Sequence, residues 1–528
     1  MAGARFGRNF PLDRVHPDVD NLMVPNPREI SRKLLARTEG LIREPILNVL
    51  AGAWIQFETH DWFAHANEEE KTLEIPLQEG DEWKDEVGGE MKVERTAPDA
   101  TRPEGDDSGP PTYTNRVTHW WDGSQLYGSD PAKVEALRSH EDGKLIIGED
   151  GLLPLEPERG IDIAGFNDNW WLGLSLLHTT FVKEHNFICD QLKEQHPDWD
   201  DDKLYHQARV INAALMAKIH TVEWTPAILP NKVVELGMYV NWWGLLGRRV
   251  KNFLAALPIG DDVGHIGDGT VLSGNIGAKQ DHGPDNVPYS LTEEFVSVYR
   301  LHPLLPDELT FRSHEDDSPV VTKTLHEVSF KGARQSLLDA GVLNAIYTAG
   351  TETPGRIALH NYPDTLRRLT NEKGDVIDLA AIDILRDRER GVPRYNDFRE
   401  LIHMGRVSSF DEITDNPTWA AELEEVYGDV DKVDLMTGLF AEKRPVDFGF
   451  AETAFRVFLL MATRRLLSDP FFTDLYNAET YTQWGLDFIE ETTMIDVLKR
   501  HFPELEPHLE GRKNAFAPWN ASFNRGKH

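Results

Sequence analysis

Four groups of residues in this chain have types and spacings that can do chemistry. Gln56 and His60 lie four apart in AWIQFETHDWFAH, so a helix puts both on one face. A buried imidazole there can exchange a proton with a small bound molecule while the amide holds it. The competing reading is a core histidine satisfied by its glutamine. Tyr299 and His302 lie three apart in Tyr299-Arg300-Leu301-His302-Pro303. Pro303 disfavours helix at the residue before it, so the helix is predicted to end at His302. A histidine at a helix end can ligate a metal through one ring nitrogen. A phenol one turn away could give an electron to an oxidised iron and become a radical. A tyrosine and a histidine packed under a proline-rich turn is the plain alternative. Thr118, Asp122, Ser124 and the carbonyl of Trp120, with Asp61 as a second carboxylate, offer the oxygen ligands of a hard cation such as calcium. The same residues also suit an Asp/Gly/Ser turn. His220, Thr225 and the pair Arg464-Arg465 form a cationic set, and an arginine fork binds a carboxylate in bidentate fashion. A salt bridge to one of the many acidic side chains competes with that reading.

Helices must position these groups. Residues 44–66, 170–195 and 449–467 repeat apolar positions every three or four residues, and strand-like alternation is scarce. The fold is therefore predicted to be mainly α, a large single domain over 1–528. Residues 79–112 are rich in Glu, Asp, Gly and Pro and read as a solvated insertion. Residues 257–290, rich in glycine, read as a long surface loop. The 528 residues carry 55 Lys+Arg against 89 Asp+Glu, a net charge of −34, which argues against nucleic-acid partners. The single cysteine, Cys189, rules out an intramolecular disulfide, a zinc ribbon or a cysteine-ligated iron–sulfur cluster. There is no run of 18 apolar residues and no signal-peptide core. A soluble cytoplasmic protein is expected, with a peripheral membrane contact left open.

The motifs occur in a specific order. Gln-x-x-x-His-Asp is followed by Thr-x-Trp-Trp-Asp-x-Ser, then FVKEHN (181–186), then Tyr-x-x-His-Pro-Leu-Leu-Pro-Asp, then RDRERGVPRYN (386–396). Over nearly the whole chain this resembles the haem peroxidase–cyclooxygenase superfamily. AWIQFETHDWFAH, KIHTVEWT (218–225), LMATRRL (460–466) and TTMIDVLKRHFPEL (492–505) resemble its fatty-acid α-dioxygenase branch. The resemblance implies a haem b with His302 as proximal ligand, His60 as distal histidine with Gln56 beside it, and Tyr299 as the radical-forming tyrosine. It implies that His220, Thr225 and Arg465 hold a fatty-acid carboxylate, with Arg464 as the fallback. It also implies calcium at Asp61, Thr118, Trp120, Asp122 and Ser124.

Departures from the wider superfamily carry information too. Thr59 and Trp170 stand where other members attach haem through Asp and Glu, and Asn167 stands where they have a distal arginine. The haem is therefore expected to be non-covalent and halide peroxidation weak. Asp383 stands where they have the asparagine partner of the proximal histidine; a carboxylate there would strengthen His302 as a donor. The implied reaction starts with a hydroperoxide activator. Tyr299 then abstracts hydrogen from C2 of a long-chain fatty acid, and O2 adds to give a 2-hydroperoxy acid. The alternative is a haem peroxidase acting on small reductants.

Overall fold

A single side chain sets the start of the helix that carries Gln56, His60 and Asp61. In the computed structural model, which describes residues 2–103, 105–106, 108–245, 274–278, 289–371 and 374–520, helix α1 spans Val49–Trp62. Asn48 caps it: its Oδ1 accepts the Ala51 N–H at 3.0 Å, satisfying one of the donors a helix start leaves open. Its Nδ2 donates to the carbonyls of Gly350 at 3.1 Å and Ala515 at 2.7 Å. Only Gln56 and Thr59 of α1 escape full burial, so this helix is a central strut rather than an amphipathic surface helix.

Helix α2, Leu172–Gln195, packs on α1 through Phe181, whose ring stacks on Phe57 at 5.6 Å and meets Trp54 at 5.5 Å. Helix α3, Asp201–Ile219, lies alongside α2 and runs into a π turn, His220–Trp224, followed by a short helix, Thr225–Ile228. Pro226 explains the turn. It has no N–H to give to the carbonyl four residues back, so the helix register slips by one. The backbone N–H of Thr225 bonds to the His220 carbonyl instead, joined by the Thr225 hydroxyl at 3.0 Å.

Helix α4, Glu293–Val298, ends at Tyr299, whose backbone has left helical geometry at φ −93°, ψ 19°. The sequence predicts helix up to His302; the structure ends it three residues sooner. Pro303 not only stops a helix but opens a turn of its own, the 3-10 segment His302–Leu304. Residues 299–301 redirect the chain into that turn, and the Leu301 N–H closes back on the Tyr299 carbonyl at 2.9 Å.

Helix α5, Leu379–Glu389, carries Asp383 and is capped by Asp378 through the Ala381 N–H at 3.1 Å. It rests on a feature that the sequence reading missed. Residues 79–112 are expected to be a solvated insertion, but much of this stretch belongs to a built hairpin. Strands β1, Asn67–Pro76, and β2, Glu90–Thr96, pair antiparallel with a short helix, Lys84–Val87, between them. Ile75, Trp83, Met91 and Val93 form a small second core with Ala381 and Leu385 of α5. Arg28 lies 3.7 Å over Trp83 and bonds Asp81 at 3.0 Å and Asp378 at 2.6 Å. The acidic composition hid alternating apolar residues that face α5. The expected loop 257–290 lies outside the described residues apart from 274–278 and 289–290.

Helix α6, Glu452–Ser468, buries Ala454, Val457, Phe458, Met461 and Arg465 on one stripe. The rest is mainly helical, with three two-stranded sheets among the described residues. No helix among them is long and apolar enough to cross a membrane.

Candidate functional site

His60 is buried. Phe166 approaches edge-on at 4.9 Å, and Nδ1 has no hydrogen-bond partner. Burial brings its pKa down to about 3, so the imidazole is neutral at physiological pH and keeps a lone pair for a proton. Gln56 is not its partner. Its Oε1 accepts the Trp171 indole N–H at 2.8 Å and its Nε2 donates to the Asn169 carbonyl at 3.1 Å. The chain entering α2 therefore orients the amide and leaves His60 as an unsatisfied base on the same helix face. Gly52 lies on that face too, and a Cβ there would sit 3.5 Å from Leu304. The His302–Leu304 turn thus packs directly against α1.

His302 meets Asp383 in a polar nest. Its Nδ1 lies 3.0 Å from Asp383 Oδ2. Arg300 Nη1 lies 2.8 Å from Asp383 Oδ1, and the Tyr362 hydroxyl donates to Oδ2 at 2.9 Å. Burial opposes ionisation of Asp383, but Arg300 and His302 bring its pKa down to about 2. A carboxylate on Nδ1 leaves Nε2 as the coordinating nitrogen. The His302 side chain stays 28 % exposed while Asp383 is 1 % exposed, so one side of the ring is open beside an anchored other side.

Tyr299 turns the opposite way, into rings. Trp62 lies edge-on at 5.2 Å, Phe295 at 4.7 Å and Phe458 at 5.9 Å. Trp224, Val298, Leu301, Phe450, Ala454 and Phe458 line an apolar cleft with it. Burial pushes the phenol well above its ordinary pKa. It is therefore a neutral O–H, the form that must release a proton when oxidised.

The same indoles hold the cationic set. His220 lies edge-on to Trp62 at 5.0 Å and Trp121 at 5.5 Å, and stacks on Trp224 at 4.8 Å. Its Nδ1 accepts the Trp54 indole N–H at 3.3 Å. Burial lowers its pKa well below the usual histidine value. A neutral ring with Nδ1 accepting carries its proton on Nε2, where it can donate. Arg465 lies 5.2 Å over Trp62 and 5.0 Å over Trp121. Its Nε donates to the His119 carbonyl at 3.0 Å and its Nη2 to the Trp120 carbonyl at 2.6 Å. Spacing along α6 decides between the two arginines: Arg465 is on the buried stripe and Arg464 is exposed. Thr225 is close by, but its hydroxyl proton is committed to the His220 carbonyl, so it shapes the turn.

The oxygen set also converges. The Ser124 hydroxyl donates to Asp61 Oδ1 at 2.8 Å. The Thr118 hydroxyl donates to Asp122 Oδ1 at 2.9 Å and approaches the Trp120 carbonyl at 3.3 Å. Gly123 makes the bend at φ +71°, where a Cβ would also strike the Tyr127 ring at 2.9 Å. Asp61 Oδ2 is buried without a hydrogen-bond partner, with Arg465 Nη2 at 4.0 Å. Burial, with Asp122 beside it, brings the Asp61 carboxyl up to about 7. Hard oxygen donors and an orphaned buried carboxylate oxygen suit a divalent cation. Among the described residues no group of three or more His, Cys, Asp or Glu side chains gathers around one point; two carboxylates with hydroxyls and a carbonyl fall below that mark.

A haem suits the first two groups: His302 sets its Nδ1 3.0 Å from Asp383 and stays partly exposed, and His60 is a neutral histidine whose Nδ1 has no partner. The three departures are all engaged elsewhere. The Thr59 hydroxyl bonds the Gln56 carbonyl at 3.0 Å, the Trp170 indole bonds Ser175 at 2.9 Å, and the Asn167 amide bonds Glu156 at 2.9 Å. Sequence reasoning missed Arg300 and Tyr362 around Asp383, and the box of Trp54, Trp62 and Trp121. Arg300 was in plain view between Tyr299 and His302. Trp54 and Trp62 were visible only as apolar helix residues and Trp121 only as part of the Thr-x-Trp-Trp-Asp-x-Ser motif, because their partners come from distant segments.

Comparison with known proteins shows the family. The animal haem peroxidase family matches residues 1–516. The alpha-dioxygenase PIOX of Oryza sativa is 40% identical over 98% of this chain and 83% of its own. The crystal structure of the Oryza sativa fatty acid alpha-dioxygenase superposes with a TM-score of 0.89 at 38% identity, covering 98% of this chain and 84% of that one. A tyrosine-to-phenylalanine variant of that rice enzyme, solved with palmitic acid, superposes equally well, at 0.89 and 38%, covering 99% and 85%. The chain belongs to the animal haem peroxidase family, in its alpha-dioxygenase branch.

Proposed function

We propose that the protein is a haem-dependent fatty-acid α-dioxygenase built as one domain, acting on long-chain fatty acid and O2 after activation by a hydroperoxide. The observation that carries this reading is a shared indole: Tyr299, His220 and Arg465 all pack against Trp62. That brings the oxidisable phenol and the carboxylate-binding groups around one indole.

Each residue then has a task. His302 would hold the haem iron through Nε2, with Asp383 strengthening it as a donor through Nδ1. A bound haem would supply the oxidising equivalent, and Tyr299 would give the electron and release its phenol proton to become the radical. His60, neutral and unpartnered, takes the proton of the hydroperoxide, and Gln56 orients it. Arg465 and the His220 Nε2–H bind the fatty-acid carboxylate, and Thr225 keeps the His220 turn in shape. Fixing the carboxylate fixes C2 before the Tyr299 oxygen, which is control by orientation. Tyr299 takes a hydrogen atom from C2, O2 adds to that carbon radical, and the resulting 2-peroxyl radical takes a hydrogen atom back from the Tyr299 phenol, giving a 2-hydroperoxy acid and restoring the tyrosyl radical. With Thr59 and Trp170 in place of the carboxyl groups that would attach it, the haem is held non-covalently, and with Asn167 in place of a distal arginine halide peroxidation is weak. A calcium ion at Asp61, Thr118, Trp120, Asp122 and Ser124 braces the loop whose carbonyls grip Arg465.

Replacing Tyr299 by Phe tests the assignment. The variant is expected to keep the haem Soret band and to lose oxygen uptake with palmitate. Oxygen uptake retained at the wild-type rate contradicts the radical role.

A further inference from the structure

Glu58 stands on α1 between the two motif residues Gln56 and His60, and nothing in the reaction above uses it. Its side chain is fully buried. Oε2 accepts the Trp121 indole N–H at 2.8 Å, and Oε1 has no partner. Trp121 is the second indole against which Arg465 and His220 pack. Arg465 lies 5.0 Å over its ring and His220 meets it edge-on at 5.5 Å, while Trp62 crosses it at 5.5 Å. The carboxyl of Glu58 is thus the only hydrogen-bond partner of the Trp121 ring nitrogen among the described residues, and that ring contacts both groups that would grip the substrate.

We infer that Glu58 is a positioning residue for fatty-acid binding: a carboxyl whose hydrogen bond to Trp121 holds the indole face on which Arg465 and His220 are seated. This rests on the reading of the protein as a fatty-acid α-dioxygenase and extends it to a residue outside the motif roles. Burial lifts the Glu58 carboxyl well above the ordinary carboxylate range. The Trp121 N–H and Arg465 work against that lift, and Asp61 adds to it. A protonated acid offers a carbonyl oxygen to the indole and adds no negative charge beside Arg465. The arginine, already facing Asp61 at 4.0 Å, keeps its charge for an incoming carboxylate. An ionised Glu58 would compete with that carboxylate for the same cation. What the site needs from position 58 is therefore an acceptor of the right length, and a glutamine supplies it.

The test uses haem-loaded full-length protein and three variants, Glu58→Gln, Glu58→Met and Trp121→Phe. Palmitate affinity is read by calorimetry and KM and kcat by oxygen uptake. Glu58→Gln is expected to keep Kd and KM within about twofold of wild type. Glu58→Met, similar in volume but without an acceptor, is expected to raise both by about fivefold with kcat little changed, the loss of one buried hydrogen bond. Trp121→Phe, which has no ring N–H, is expected to raise them similarly. The Glu58→Met/Trp121→Phe double variant should be no worse than the worse single one. A merely structural residue would lower haem loading and kcat together and leave no such split. Unchanged affinity in Glu58→Met, Glu58→Gln as impaired as Glu58→Met, or additive losses in the double variant would each overturn the inference. If Glu58→Met fails to fold, Glu58→Gln and Trp121→Phe carry the same decision. An impaired Glu58→Gln or an unimpaired Trp121→Phe refutes it. Palmitate binding by wild type without oxygen uptake counts against the dioxygenase reading alone. Oxygen uptake with unshifted variants counts against Glu58 alone, and absence of both binding and uptake overturns both.

Discussion

At the scale of residues, the chemistry depends on two buried charges with different surroundings. Arg465 is 2 % exposed and held by two backbone carbonyls, with no carboxylate closer than Asp61 at 4.0 Å. A guanidinium so buried, short of a close counter-ion, has strong reason to bind one. Replacing Arg465 by Ala should cost about 3 kcal/mol of substrate binding, roughly a hundredfold in kcat/KM for palmitate, felt mainly in KM. An unchanged KM in a folded, haem-loaded variant excludes Arg465 as the anchor. Asp383 is compensated on every side, by Arg300, His302 and Tyr362. Its pKa is depressed to about 2 from 3.8. The sign follows from linkage. The unfolded state takes up a proton at this group before the native state does, so the stabilisation is complete above about pH 4 and lost as pH falls towards 2. Asp383→Asn lacks that contribution. Its stability deficit against wild type, read from urea unfolding, should therefore shrink by about 2 kcal/mol between pH 4 and pH 2. The same variant should raise the haem reduction potential, because the imidazole becomes a weaker donor. A pH-independent deficit, or an unmoved potential, contradicts the respective half of this assignment.

At the scale of elements, the site is an intersection of four helix ends and one central helix. The periodic segments at 44–66, 170–195 and 449–467 were legible because burying an apolar stripe leaves a plain three- and four-residue signature. They appear as Val49–Trp62, Leu172–Gln195 and Glu452–Ser468. Arg465 could be told from Arg464 only once the phase of that stripe was known. The π turn at His220 has its cause in Pro226, one residue past the motif, and its register slip follows from a missing donor rather than from any pattern of polarity. The hairpin of β1 and β2 was illegible because charged residues on its outer face mask the alternation of Ile75, Met91 and Val93 on its inner face. That hairpin has a consequence for the site: its small core is shared with Ala381 and Leu385 on either side of Asp383. Trp83→Ala should therefore destabilise the protein by about 3 kcal/mol and loosen α5, so that haem affinity falls although no residue near the haem has changed. Haem titration of the variant with an unaltered midpoint would make the hairpin a separate appendage.

At the scale of the whole molecule, an acidic chain of net charge −34 buries the Arg465 guanidinium against indoles. A diffuse negative surface repels anions, so the attraction that would select a fatty acid under the proposed function has to be local. Burial of Arg465 and His220 among Trp62 and Trp121 makes it so, because a charge out of water interacts strongly only at short range with what fits beside it. The proposed function therefore turns on position: the carboxylate end would be held, and the carbon next to it oxidised. Incubating the haem-loaded protein with palmitate and O2 and locating the added oxygen by mass spectrometry tests it most directly. Oxygen at C2, as the 2-hydroperoxide or as the aldehyde one carbon shorter left by loss of CO2, is the expected result. Oxygen placed elsewhere along the chain, or peroxide consumed with palmitate untouched, contradicts it.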